Sequence, residues 1–262
     1  MTPIEERALL AIAYEAATAA AGELLRRFGR HQDGVRSKST PTDLVSEADL
    51  AAEAAIRSVL AARRPNDSIL GEEGGATGEG KLRWVVDPLD GTVNFLFGNP
   101  QFAVSVACED GTGRVAGVVL DPVRAECFAA MRTGIPTLGR DLDGAPIRGS
   151  TCDRLESAMV ATGFAYDAGM RVRQAEVVAR VLPRARDIRR AGAAALDLAW
   201  CACGRYDAYY ERGLHEWDLA AGALICERAG LAVRRLAADG QDPSGLVVAP
   251  PGLIDELLEL VG

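Results

Sequence analysis

Short β-preferring runs and helix-forming runs are interleaved through both halves of the chain, and this interleaving restricts the fold more than any other feature of the sequence. Residues 102–108 and 114–120 alternate well enough to pair through Asp110, Gly111 and Gly113, with 126–131 as a third strand. Further strands are expected at 68–70, 159–162, 187–190, 206–211, 231–236 and 246–249. Helices are expected at 3–28, where Thr2, Pro3 and Glu5 form a start signal, at 46–63 behind Ser46 and Asp49, and at 171–182, 215–228 and 252–261. The segment GAAALDLAW opens one more, with a glycine-led N-terminus able to receive an anion. Hairpins in the first half and mixed elements in the second predict an α+β, mixed α/β chain of layered helices and sheets. The Gly- and Pro-rich stretch 132–150 marks a boundary near 140, giving subdomains 1–140 and 141–262.

Residues 83–95, RWVVDPLDGTVNF, hold the densest chemistry. Trp84, Val85 and Val86 predict a buried strand that stops at Asp87, because Pro88 cannot donate to a ladder and restricts the residue before it. Asp87 and Asp90 then leave the strand end three apart, a spacing at which one tight turn brings both carboxylates to a single hard cation. Gly91 and Thr92 add small side chains and backbone amides for a phosphate. Taken alone the segment is also an ordinary turn. Asp49, Glu72, Glu73 and Asp218 weigh against that, each standing at a strand or helix end that could reach the same point, although Asp49 also serves as a capping residue.

Several classes are excluded by composition. A net charge of -8 gives no basic footprint for nucleic acid. An acidic protein with a phosphate-shaped site needs cations to hold an anionic substrate. No apolar run approaches the roughly 18 residues of a membrane span, and Glu5, Glu6 and Arg7 spoil a signal peptide, so a cytoplasmic location is expected. The six cysteines lack CxxC spacing and read as buried free thiols; the two histidines, His31 and His215, leave little room for a His-rich metal site or a triad.

DPLDGTVNF, with GEE upstream and HEWDLAAGALICERAG downstream, resembles the inositol monophosphatase family of Mg-dependent, lithium-sensitive phosphatases, over about Lys38 to Gly230. The resemblance implies a five-layer αβαβα sandwich, a homodimer, a small-molecule phosphate monoester as substrate and two to three Mg2+ ions per subunit. It implies that Glu72, Asp87 and the Leu89 carbonyl hold one ion, and that Asp87, Asp90 and Asp218 hold a second. A third ion would lie near Glu72. Asp49, Glu72 and Thr92 would orient and deprotonate the attacking water, and the amides of Gly91 and Thr92 would face the phosphate. Asp90, Asp218, Glu211 and the Gly192, Ala193 and Ala194 backbone would meet the substrate. Ala193 stands where many members carry Ser or Thr, and Phe97 replaces a residue that is often polar; both leave substrate preference open.

Inositol monophosphate is the leading substrate on this resemblance, with histidinol phosphate, fructose 1,6-bisphosphate and adenosine bisphosphates as alternatives. A haloacid-dehalogenase type of phosphatase would need DxDxT, and the acids here are three apart. A partner-binding protein that keeps an old active site is the alternative from another class; Arg180, Arg184, Arg186, Arg189 and Arg190 would be its basic face.

Overall fold

The computed structural model describes residues 1–30, 35–37 and 44–262. The start of the family resemblance, 38–43, and His31 lie outside the described residues.

The chain opens with α1 (Pro3–Arg27), β1 (Arg36–Ser37), β2 (Leu44–Val45) and α2 (Glu47–Arg63). It continues through β3 (Ser68–Gly71), β4 (Gly75–Thr77), β5 (Arg83–Asp90), α3 (Thr92–Leu96), β6 (Ala103–Asp110), β7 (Gly113–Asp121), β8 (Glu126–Met131), β9 (Thr137–Gly139) and β10 (Ala145–Pro146). The remainder comprises β11 (Met159–Thr162), α4 (Ala168–Val181), β12 (Asp187–Arg189), α5 (Ala194–Ala202), β13 (Ala208–Arg212), α6 (Glu216–Arg228), β14 (Ala232–Leu236), β15 (Gly245–Ala249) and α7 (Ile254–Val261). An eight-stranded sheet runs β10-β9-β8-β7-β6-β5-β3-β4, and a five-stranded sheet runs β12-β11-β13-β15-β14.

These elements stack as α1/α2, the large sheet, α5/α6, the small sheet and α4/α7, the expected five layers. Side chains alternate across the pleat, so Trp84 and Val86 of β5 enter the core under α1 and α2, while Val85 enters the core under α5 and α6. A third core lies between the small sheet and α7.

Both predicted helix starts form capping boxes, Thr2 with Glu5 and Ser46 with Asp49. α1 departs from the membrane expectation. Among the described residues it is the one helix long and apolar enough, by length and composition, to cross a membrane. Its alanines supply that apolar character, and one face of it, including Leu9, Ala13, Ala16, Ala20 and Leu24, is buried in the core. All six cysteines are free, with Cys108, Cys127, Cys201 and Cys226 buried.

Candidate active site

β5 does not stop at Asp87. Its pairing with β6 jumps from Asp87↔Ser105 to Asp90↔Ala103, so Pro88 and Leu89 arch out of the ladder and the strand resumes at Asp90. The arch turns Asp87 Oδ1 back onto the Leu89 amide at 3.0 Å. Gly91 follows with φ 95°, and a Cβ there would sit 2.8 Å from the Gln101 carbonyl, so both backbone and space require glycine. Thr92 then starts α3, a short helix the sequence did not suggest.

Four carboxylates converge beyond this arch. Asp87 is 1% exposed; burial pushes its carboxyl well above the ordinary range, and the charges of Glu72, Asp90 and Asp218 push it further. Burial raises Asp218 strongly too, with Asp90, Glu72 and Glu211 adding and the His215 amide opposing. Glu72 comes from the β3–β4 turn, Asp87 and Asp90 from β5, and Asp218 from the first turn of α6, where Oδ2 accepts from His215 N at 2.7 Å. The sequence places these acids up to 146 residues apart (218 − 72). Folding makes them neighbours.

Asp90 also fills the N-terminus of α5. Its oxygens accept from the amides of Ala194 at 3.0 Å, Ala195 at 2.8 Å and Leu196 at 3.4 Å. The anion at this helix end is therefore an internal carboxylate, not a group of the substrate. Burial still raises Asp90 to about 7 against those three amides.

Asp49 is shared between two tasks. Oδ2 accepts from Ser46 N at 2.8 Å and Ser46 Oγ at 2.6 Å, while Oδ1 accepts from Thr92 Oγ1 at 2.7 Å. The Leu89 carbonyl lies 3.1 Å from the same hydroxyl. Since Thr92 has one proton and the carboxylate is the closer acceptor, a Thr92 lone pair and the Leu89 oxygen are left for another partner.

The Glu72 turn is held by residues that sequence reasoning missed. Buried Glu53 of α2 accepts from Glu73 N at 2.7 Å and Gly74 N at 2.8 Å, and Arg57 Nε lies 2.7 Å from its Oε1. Arg57 in turn donates to Thr77 Oγ1 and the Gly75 carbonyl, both at 2.8 Å. A Cβ on Gly71 or Gly74 would lie 2.7 or 2.6 Å from Glu53 Oε1, which explains glycine on both sides of the turn.

On the opposite wall, Glu211 accepts from the Tyr209 hydroxyl at 2.6 Å, and burial lifts its carboxyl to about 7. Gly163 packs so closely on this carboxylate that any side chain there would collide with it. Asn94 Nδ2 pins the lip, lying 2.9 Å from the Ala191 carbonyl and 3.2 Å from that of Gly192. Ala193 is buried and contributes no polar side chain. Asp197, also missed, is 1% exposed; burial, then Glu211 and Asp90, push its carboxyl well up against the Arg190 charge and the Gly192 amide. Phe97 is 82% exposed just beyond α3.

Among the described residues no three His, Cys, Asp or Glu side chains are grouped closely enough to cage an ion as they stand. The donor set nevertheless fits a hard divalent cation: Asp87 and Asp218 are buried, and the charges of Glu72 and Asp90 raise the proton affinity of both. Each also retains oxygen lone pairs beyond its amide contacts.

The chain belongs to the inositol monophosphatase family, whose model matches residues 5–259. It is accordingly a phosphatase of small-molecule phosphate monoesters, in a family that is generally metal-dependent. It is 46% identical to the inositol-1-monophosphatase SuhB of Mycobacterium tuberculosis over 261 residues, covering 94% of this chain and 89% of that one. It is 44% identical to a protein of Pseudomonas aeruginosa named Nus factor SuhB, covering 85% of this chain and 83% of that one. The crystal structure of the extragenic suppressor protein suhB from Bartonella henselae matches with a TM-score of 0.86 at 34% identity, over 97% of this chain and 98% of that one.

Proposed function

We propose that the protein is a Mg2+-dependent phosphomonoesterase that hydrolyses myo-inositol monophosphate by direct attack of water. The observation that supports this reading is the convergence of Glu72, Asp90 and Asp218 on buried Asp87, an accumulation of negative charge that favours a polyvalent cation. Glu72, Asp87 and the Leu89 carbonyl would hold one Mg2+, and Asp87, Asp90 and Asp218 a second, with a third near Glu72. Bound there, the ions would acidify a water and neutralise charge on the ester.

The chain's own residues set the direction of attack. With its proton committed to Asp49, Thr92 Oγ1 can only accept from a water, which turns a water lone pair toward the phosphorus. Glu72 would take the proton released. Amides of Gly91 and Thr92 face the phosphate, while Glu211 and the Gly192–Ala194 lip receive the hydroxyls of the alcohol. Phosphate release from myo-inositol 1-phosphate and histidinol phosphate, with and without Mg2+, tests the proposal. A histidinol phosphate preference of tenfold or more would replace the substrate, and no turnover with any divalent cation would end it.

A second reading, as a partner-binding factor that retains the site, draws on the Pseudomonas aeruginosa relative's name. Full function in cells of an Asp87→Asn, Asp218→Asn double variant would favour it over catalysis. We also infer a homodimer, for which the exposed Phe97 offers an apolar contact; sedimentation of a monomer at micromolar concentration would refute this.

A further inference from the structure

We propose that Arg190 extends the substrate range beyond the uncharged inositol ester, to phosphate monoesters whose alcohol carries a second anionic group; this rests on the phosphatase reading above. Arg190 differs from the four other arginines of the 180–190 segment. Arg180 Nε donates to the Leu260 carbonyl at 3.1 Å, Arg184 pairs with Glu256 at 2.9 Å, Arg186 Nε donates to the Ser157 carbonyl at 2.8 Å, and Arg189 pairs with Asp187 at 2.5 Å. Those four are bound to the chain's own acceptors. Arg190 has no hydrogen bond or ion pair among the described residues.

Its guanidinium is nonetheless placed. The Cζ atom stands 5.7 Å from the centroid of the Phe164 ring, a stacking contact that restrains the plane of the fork. A Cβ on Gly192 would lie 2.5 Å from Nη1, so the charged end rests on the lip itself. Its charge is felt by Glu211 and Asp197, so the guanidinium stands within Coulombic reach of both buried carboxyls.

The other donors of this lip are already used. Ala193 has no hydroxyl, the amides of Ala194, Ala195 and Leu196 go to Asp90, and Asn94 Nδ2 goes to neighbouring carbonyls. What remains for a ligand is a permanently charged, planar fork with free N–H groups, the donor geometry that matches a carboxylate or phosphate two bonds at a time. Across the cleft Glu211 supplies an acceptor for hydroxyls. A hydroxylated monoester with an oxyanion directed at Arg190 satisfies both walls.

Glycerol 2-phosphate and 2-phosphoglycerate test this, since they share the scissile bond and differ in one CH2OH replaced by a carboxylate. The quantity read is the ratio of kcat/KM for 2-phosphoglycerate to that for glycerol 2-phosphate, with Mg2+, in the wild type, Arg190→Met and Arg190→Lys. The wild-type ratio is expected at or above one, falling roughly tenfold or more in Arg190→Met through KM and only partly in Arg190→Lys, which keeps the charge but loses the fork. A wild-type ratio far below one, or an unchanged ratio with both esters slowed alike, overturns the proposal; the latter would mean that Arg190 acts only through Glu211. Failure of the wild type to hydrolyse either ester while it still turns over myo-inositol 1-phosphate would overturn this inference alone; no turnover of any of the three would overturn the phosphatase reading with it.

Discussion

Replacing Glu53 by Gln should weaken the turn that carries Glu72 without touching Glu72. The Glu53 carboxylate accepts two backbone amides and pairs with Arg57, using both oxygens. Glutamine keeps the shape but has one acceptor oxygen. If that oxygen serves Gly74 N and Arg57, the new NH2 group confronts the Glu73 N–H, donor against donor. One buried amide then loses its partner and the ion pair with Arg57 becomes a neutral contact, at a combined cost of about 2–3 kcal/mol. For a chain of this size, that lowers the melting temperature by roughly 4–12 °C, at about 2–4 °C per kcal/mol. Thermal melts without metal read the stability, and a Mg2+ titration of activity reads Glu72, which should demand a higher Mg2+ concentration. Gly74→Ala attacks the same contact from the other side, its Cβ arriving 2.6 Å from Glu53 Oε1, so it and Glu53→Gln should combine less than additively. A Glu53→Gln protein that melts within 1 °C of wild type with the same Mg2+ requirement would refute the reasoning.

Thr92→Val should leave the protein folded, at a cost of about 1–2 kcal/mol for one buried hydrogen bond, while lowering kcat by roughly a hundredfold; near-normal kcat would remove Thr92 from the orientation of water. Glu211 is raised from the usual 4.5 to about 7, so between those values the folded state keeps a proton that the unfolded chain has lost. Metal-free stability should therefore fall as pH rises through this window and level off above it, and Glu211→Gln should flatten part of the slope; melts from pH 4.5 to 8 that superimpose for the two proteins would count against this. Mg2+ at about 100 times its dissociation constant should add around 2.7 kcal/mol to stability, and a melting temperature indifferent to tens of millimolar Mg2+ would contradict a divalent site.

Much of the architecture could be read from local chemistry. Thr2 with Glu5 and Ser46 with Asp49 are signals contained within four residues, and both form as read. β6, β7 and β8 announce themselves through alternation and glycine-bearing turns. β4, β9 and β10 do not, because strands of two or three residues owe their state to the partner strand and not to their own propensity. Pro88 was read as the end of β5, yet a missing N–H only interrupts the ladder, and the chain re-pairs at Asp90. The meeting of Glu72, Asp87, Asp90 and Asp218 was suggested by the strand and helix ends on which they stand, and the family resemblance gave them their separate roles. The Glu53 clamp and the position of Arg190 left no such trace, since a carboxylate meeting an amide 21 residues away has no period to detect. Asp197 was overlooked because the carboxylates that act on it, Glu211 and Asp90, are brought to it only by the fold.

The three amides that Asp90 draws from α5 make the two halves of the molecule finish one another. The first half, separated from the second, would carry a carboxylate shaped for partners it no longer has, and α5 alone would end in bare N–H groups beside an apolar sheet. The cleft therefore exists only in the docked whole, and a chain cut near residue 150 should regain its catalytic arrangement only when both pieces are mixed.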